Sequence, residues 1–244
     1  MQFSYSGGKY RWQSGTSHQF HFSNIAADVA LGISKLIDEK NVTMQIHTET
    51  VELNDCIRKL RAIADALVQK DPDTHSHALR VARYAMRLAR RIGLSVEDTS
   101  QIGIGGMLHD IGKIGLSDAF FSNQSIERCA EILEEAQQHP AIGVSLLKDI
   151  KFLSPVLDYV HYHHERMDGN GYPCGLKAEQ IPLGAKIIAV ADWFDAMTSH
   201  RPYQKVKSTA QAIESMRNAG GTHLCPQLVE AFASEIEENG IIRD

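Results

Sequence analysis

The sequence predicts an all-α protein, a helical domain carried behind a long N-terminal helix, on three observations. Apolar residues recur at helical spacing from Ile25 onward. Proline and glycine fall between the periodic runs, where helices stop and start. No run after residue 25 shows the strict alternation of a half-buried strand. Composition supplies the core: of 244 residues, 43% are apolar and 23% charged, far from the make-up of a disordered chain.

Residues 1–24 place aromatic and alternating segments around Ser6-Gly7-Gly8 and read as a short β-hairpin or an irregular arm. Residues 25–70 read as one long helix. Within it Ile46, Leu53, Leu60 and Leu67 stand seven apart, with Ile57 and Ala64 between them. That is the pattern of a coiled-coil seam, and it predicts a parallel homodimer, which sedimentation of the full chain would read as twice the monomer mass. Pro72 ends this helix, because the residue before proline avoids helical geometry. The domain proper then runs over 71–244. Its first helix spans 76–92, with Leu79, Ala82, Met86 and Ala89 on one face and Gly93 as the C-cap. Further helices are predicted over 98–110, 126–139, 140–153, 155–164, 181–199, 208–218 and 225–238. Ile187-Ile188-Ala189-Val190-Ala191 has the make-up of a strand, but the helical spacing of the apolar run around it favours helix.

The balance of charge narrows the function. A net charge of -5 is a poor match for duplex nucleic acid, which requires a basic face, but allows a small anionic substrate in a local basic pocket. No stretch approaches the roughly 20 apolar residues of a membrane span, and MQFSYSGGKYRW lacks the apolar region of a signal peptide. Cys56, Cys129, Cys174 and Cys225 are scattered, without a CxxC pair. The expectation is a cytoplasmic protein with reduced thiols.

Twelve histidines are the unusual feature. His109-Asp110 is followed by Lys113. His163-His164-Glu165 leads into the glycine-rich Asp168-Gly169-Asn170-Gly171-Tyr172-Pro173. His77 opens one predicted helix, His139 ends another before Pro140, and Asp192 lies within an apolar run. A carboxylate in such surroundings is costly unless paired or metal-bound. Imidazole nitrogens mixed with carboxylate oxygens suit iron, manganese, nickel or zinc better than calcium. The two oxygens of Asp110 allow it to bridge two cations, and Lys113, three residues on, is placed to hold a phosphate oxygen.

These strings resemble the HD-GYP domain, a branch of the HD metal-dependent phosphohydrolases. The matching text is HSHALRV around His77, HDIGK at 109–113, QHPAIG around His139, HHERMDGNGYP at 163–173 and VADWFDAMTSHRPY at 190–203. The resemblance covers about residues 71–230 and implies an HD-type helical bundle. It also implies hydrolysis of cyclic di-GMP to linear pGpG, and onward to GMP, at two or three divalent ions. Iron or manganese is expected first, with nickel or zinc as alternatives. By the same resemblance His77, His109, Asp110, His139, His163, His164 and Asp192 occupy metal-binding positions, with Asp110 as the bridge. Lys113 stands beside the metals and the scissile phosphate. Asp73, four residues before His77, takes the position of a ligand to a third ion, its alternative being a helix cap. Arg201 takes the place of a phosphate-clamping arginine. Three residues later a basic residue is common, but this chain has Gln204, with Lys205 next to it as the substitute. Gly171 and Tyr172 belong to the loop on the substrate side, where Tyr172 either supports the loop or meets a base.

The implied chemistry suits the task. A phosphodiester resists attack because its centre is already anionic. Two cations about 3.5–4 Å apart clamp the phosphate and hold a bridging water as hydroxide at neutral pH. Lys113 and Arg201 would stabilise charge building on the phosphate oxygens. Two other readings stand beside this one. One is a phosphodiesterase preferring a mixed GMP-AMP cyclic dinucleotide, left open by Gln204. The other is a catalytically weak receptor for cyclic di-GMP, signalling through the 25–70 helix.

Overall fold

In the computed structural model the described residues are 5–6, 9–10, 58, 62–63, 66–67, 69–121, 130–199 and 206–242. Helix dominates them. The exception is a two-residue antiparallel ladder of β1 (Tyr5–Ser6) with β2 (Lys9–Tyr10), pairing Tyr5 with Tyr10 and Ser6 with Lys9. Arg58, Ala62, Ile63, Ala66, Leu67, Gln69 and Lys70 are helical. The rest of the expected seam, Ile46, Leu53, Ile57, Leu60 and Ala64, lies outside the described residues, as do Cys56 and Cys129.

Pro72 opens helix α1 (Pro72–Arg91), four residues earlier than expected. Proline suits a first turn, because its missing N–H would have no intrahelical partner there. Gly93, at φ +80°, closes the helix with its N–H on Arg90 O, and Leu94 N–H reaches Ala89 O. Ser95 then caps α2 (Val96–Leu108) by accepting from the Asp98 N–H. The sequence predicts helix through Asp110, but α2 stops at Leu108 and the chain passes through a turn into a 3-10 segment, Ile111–Gly115. His109 and Asp110 therefore sit at a bend.

Two further predicted helices break where the sequence analysis runs them on. Short α3 (Asp118–Phe121) and α4 (Ala130–Ala136) come first. A turn at Gln137-Gln138 separates α4 from α5 (His139–Leu147), so His139 begins a helix instead of ending one. Pro140 explains the change, since it belongs to a first turn and cannot continue a preceding helix. Helix α5 ends at Leu147, and extended Ile150 precedes a 3-10 segment, Lys151–Val156. Then come α6 (Leu157–Tyr162), a 3-10 turn at Ala178–Gln180, α7 (Leu183–Thr198), α8 (Thr209–Asn218) and α9 (Pro226–Asn239).

The strand-like Ile187-Ile188-Ala189-Val190-Ala191 is the buried middle of α7. This helix packs against α1, α2, α6, α8 and α9, so it is apolar almost all round. Tyr84, Phe194 and Phe232 meet edge to face at its centre, with ring centroids 5.0 to 5.8 Å apart. A second core of Leu108, Ile111, Leu147, Leu153, Val156 and Val160 joins α2, α5 and α6. Between the two cores, the start of α1, the ends of α2 and α6, the start of α5 and the middle of α7 converge. Among the described residues no helix is long and apolar enough to cross a membrane.

Candidate metal centre

All seven residues expected to be ligands gather at that convergence, in two adjoining groups. Asp110, His139, His163 and His164 form one, and His77, His109 and Asp192 the other. Within each group the donor atoms lie within 4.8 Å of one another. Asp110 stands between the groups. Its Oδ1 is 3.4 Å from His139 Nε2, while its Oδ2 is 3.3 Å from His109 Nε2 and 3.7 Å from His77 Nε2. Asp192 Oδ1 is 3.1 Å from His77 Nε2, and Lys113 Nζ is 2.6 Å from Asp110 Oδ2.

The helix ends decide which ring nitrogen is free. His109 Nδ1 is 2.7 Å from Gly106 O, His139 Nδ1 2.7 Å from Ala136 O, and His163 Nδ1 2.7 Å from Val160 O. Each acceptor belongs to the last turn of a helix, where carbonyls have lost their intrahelical partner. A carbonyl only accepts, so each Nδ1 carries the hydrogen and each neutral ring presents its lone pair at Nε2. Two of those lone pairs meet. His139 Nε2 and His163 Nε2 are 3.2 Å apart, and His109 Nε2 is buried with no hydrogen-bond partner. Two buried acceptors in contact repel unless a cation lies between them, so the residues present fit divalent ions.

Electrostatics agree. Burial holds His163 well below the usual histidine range, with the His164, His109 and His139 rings adding to the effect. Burial likewise lowers His139, and with His139 beside it lowers His164 to about 3. Burial opposes charge on Asp110, but the adjoining Lys113 ammonium holds its carboxyl well below the carboxylate range. His77 goes the other way. Burial opposes its charge, but Asp192 and Asp195 push it up to about 9.

These shifts predict how stability of the metal-free protein depends on pH. Between pH 6.5 and about 3 the unfolded chain protonates His164 and the fold does not, so stability falls as pH drops through that window; His139 and His163 act in the same direction. His77 keeps its proton in the fold up to about pH 9, so its contribution is complete below pH 6.5 and is lost as pH rises to about 9. Urea midpoints of chelator-treated protein are therefore expected to peak near pH 6.5. A midpoint still rising from pH 6.5 to 9 would contradict the His77 environment.

The glycine-rich loop folds back on the ligands. Tyr172 lies against the His164 ring, centroids 4.7 Å apart and planes 30° apart, and its N–H reaches His164 O at 3.2 Å. Burial pushes its phenol above the usual range. A side chain at Gly171 would meet Arg166 N, Glu165 Cα and His164 O within 2.4 to 2.6 Å, so only glycine allows this approach. Buried Glu165 accepts from the Cys174 N–H at 2.7 Å and the Leu176 N–H at 2.9 Å, which latches the loop to the residue following the two histidines.

Arg201, Gln204 and Lys205 lie outside the described residues. Asp73 falls in the first turn of α1, with Asp71 at the N-cap; the Asp73 side chain lies outside the described residues. His75, His161 and His223 belong to neither group. His161 lies beside Tyr162, and His223 against Trp193. Sequence reasoning assigned no role to Glu165 or Asp195. For Asp195 a signal existed: it follows Asp192 by three residues, on the same side of an apolar helix.

Comparison with known proteins gives the family and the fold. A family profile described as the HD domain matches residues 61–228. A cyclic di-GMP phosphodiesterase from Thermotoga maritima is 38% identical over 186 residues, covering 74% of this chain and 50% of that protein. A 3'3'-cGAMP-specific phosphodiesterase from Vibrio cholerae is 32% identical over 183 residues, covering 74% and 35%. The chain thus spans half or less of the length of these curated relatives. A solved structure of an HDG"Y"P protein from Bdellovibrio bacteriovorus shares the fold, with a TM-score of 0.56 at 21% identity over 67% of this chain and 52% of that one. The all-helical bundle, the HD pair at its centre and the HHERMDGNGYP string lead to one conclusion: the chain belongs to the HD domain family of metal-dependent phosphohydrolases, in its HD-GYP branch.

Proposed function

We propose that this chain hydrolyses a cyclic dinucleotide, with cyclic di-GMP as first substrate and linear pGpG as first product. The single observation that carries this reading is the pair of cages sharing Asp110, with the His139 and His163 lone pairs meeting at 3.2 Å. The names of the curated relatives, cyclic di-GMP phosphodiesterases among them, supply the substrate class. Asp110, His139, His163 and His164 would hold one ion, and His77, His109 and Asp192 another, iron or manganese by donor type. Ions there would supply Lewis acidity toward the phosphate and lower the pKa of water at neutral pH.

The chain's own groups do the rest. Lys113 keeps a positive charge at the Asp110 side of the cages, placed to meet a phosphate oxygen. Arg201 and Lys205 are the further phosphate contacts, on the sequence pattern that suggests them. Tyr172 packs on His164 and, with Gly171, forms the wall beside the cages where a dinucleotide would lie. Asp73 is the added ligand if a third ion binds.

The test is hydrolysis by the full chain purified without oxygen. Loaded with ferrous or manganous ion, it is expected to convert cyclic di-GMP to pGpG, and chelation is expected to abolish the reaction with return on reloading. Tight binding of cyclic di-GMP with no product under either metal would make the chain a receptor and overturn this reading. A second substrate is favoured by one observation, the glutamine at 204 where a basic residue is common, together with 3'3'-cGAMP-specific relatives. Comparison of kcat/KM on cyclic di-GMP and the mixed dinucleotide decides between them.

A further inference from the structure

His77 differs from His109, His139 and His163 in what holds it. Main-chain carbonyls hold those three rings, whereas His77 Nδ1 is 2.7 Å from Asp195 Oδ2. Asp195 is almost fully buried at 1% exposure. Its carboxylate also accepts from Arg80 Nε at 2.7 Å, Arg80 Nη2 at 3.2 Å and Ser199 Oγ at 2.9 Å. The contacts pair two helices. His77 and Arg80 are three residues apart on α1, as are Asp192 and Asp195 on α7, and residues so spaced share a helix face. One residue of each pair faces the cage and the other stands behind it.

Building on the metal-binding reading above, we propose that Asp195 is a positioning residue for the His77–His109–Asp192 cage, holding His77 so that Nε2 faces the cage, and that its loss weakens this cage alone. A carboxylate on the far nitrogen fixes the tautomer and orientation of a ligating imidazole and raises its basicity. The guanidinium fork of Arg80 braces the carboxylate from its other side. These hydrogen bonds of Asp195 run to His77, Arg80 and Ser199 and leave the second cage to its own supports. An asparagine at 195 keeps the shape but can turn its NH2 toward His77 Nδ1. The ring then holds its hydrogen at Nε2 and loses the lone pair that faces the cage.

The experiment is a manganous-ion titration of the chelator-stripped full chain, followed by electron paramagnetic resonance. Asp195→Asn is expected to bind one ion fewer than wild type under matched conditions, that site weakened about 10- to 100-fold and the remaining affinity unchanged. The signal of interacting ions should give way to that of an isolated one. Arg80→Met keeps the Asp195–His77 bond and is expected to retain every wild-type site. The R80M/D195N double variant removes both buried charges together and must lose the same site as D195N. Wild-type affinity at every site in D195N, or loss of the same site in R80M alone, overturns the role of Asp195. A wild-type chain that binds no manganese instead overturns the metal-binding reading itself, so the two failures are distinguishable.

Discussion

Asp110→Ala is expected to abolish turnover of cyclic di-GMP while the helical fold survives. Asp110 is the residue whose two oxygens face different cages, Oδ1 toward His139 and Oδ2 toward His77 and His109. Removing it separates the cages and frees the Lys113 ammonium. A metal pair supplies several kcal/mol of transition-state stabilisation, and each 1.36 kcal/mol is tenfold in rate, so the loss should be on the order of a thousandfold or more. Initial rates on the metal-loaded variant, with circular dichroism as the fold control, make the check. An alanine variant within tenfold of wild type would remove Asp110 from the chemistry. A rate lost along with the helical signal would call for Asp110→Asn, which keeps the volume and should show a similar collapse.

Gly112→Ala is expected to be the most damaging single methyl group in the described part of the chain. A Cβ at Gly112 would lie 1.9 Å from His139 O and 2.5 Å from Gly143 N, both main-chain atoms that cannot swing aside. The 3-10 segment after Asp110 must therefore move away from the start of α5, which carries His139. Overpacking typically costs 1–3 kcal/mol and occasionally more. With no flexible neighbour to yield, about 3 kcal/mol is expected, or a fall in Tm of roughly 6–12 °C at 2–4 °C per kcal/mol. Activity should fall further than stability, because the displacement separates Asp110 from His139. Thermal melts and kcat measured well below the new Tm read the two effects separately. A melting point within about 2 °C of wild type would mean that α5 does not approach this closely.

The HD-GYP strings marked in the sequence the seven side chains that the fold gathers, because imidazole and carboxylate groups in that pattern are unusual elsewhere. Two adjacent histidines before a glycine-rich loop have little use in a solvated surface. The helices were readable for a different reason. Their apolar spacing reflects packing on one side, and α7 kept a helical spacing across 181–199 despite its strand-like middle. Element ends were less legible. The break at Gln137-Gln138 and the stop of α5 at Leu147 depend on how Pro140, Ile150 and Pro155 settle against neighbouring helices, which local pattern does not encode. Asp195 was hidden because its partners, His77 and Arg80, are more than 110 residues away in sequence. Only the packing of α1 on α7 brings them together. Glu165 stood in the quoted string, but that its carboxylate receives two loop N–H groups is a property of the folded loop.

The carbonyls of Gly106, Ala136 and Val160 each stand in the last turn of a helix, and there they choose a tautomer. Any affinity of these cages for ions would thereby be tied to the soundness of the helix ends. Substitutions that fray the last turn of α2, α4 or α6 should loosen the ions before they melt the bundle, even where they touch no donor atom. In a population of variants, damage to these termini would register first as cofactor leakage and only later as unfolding.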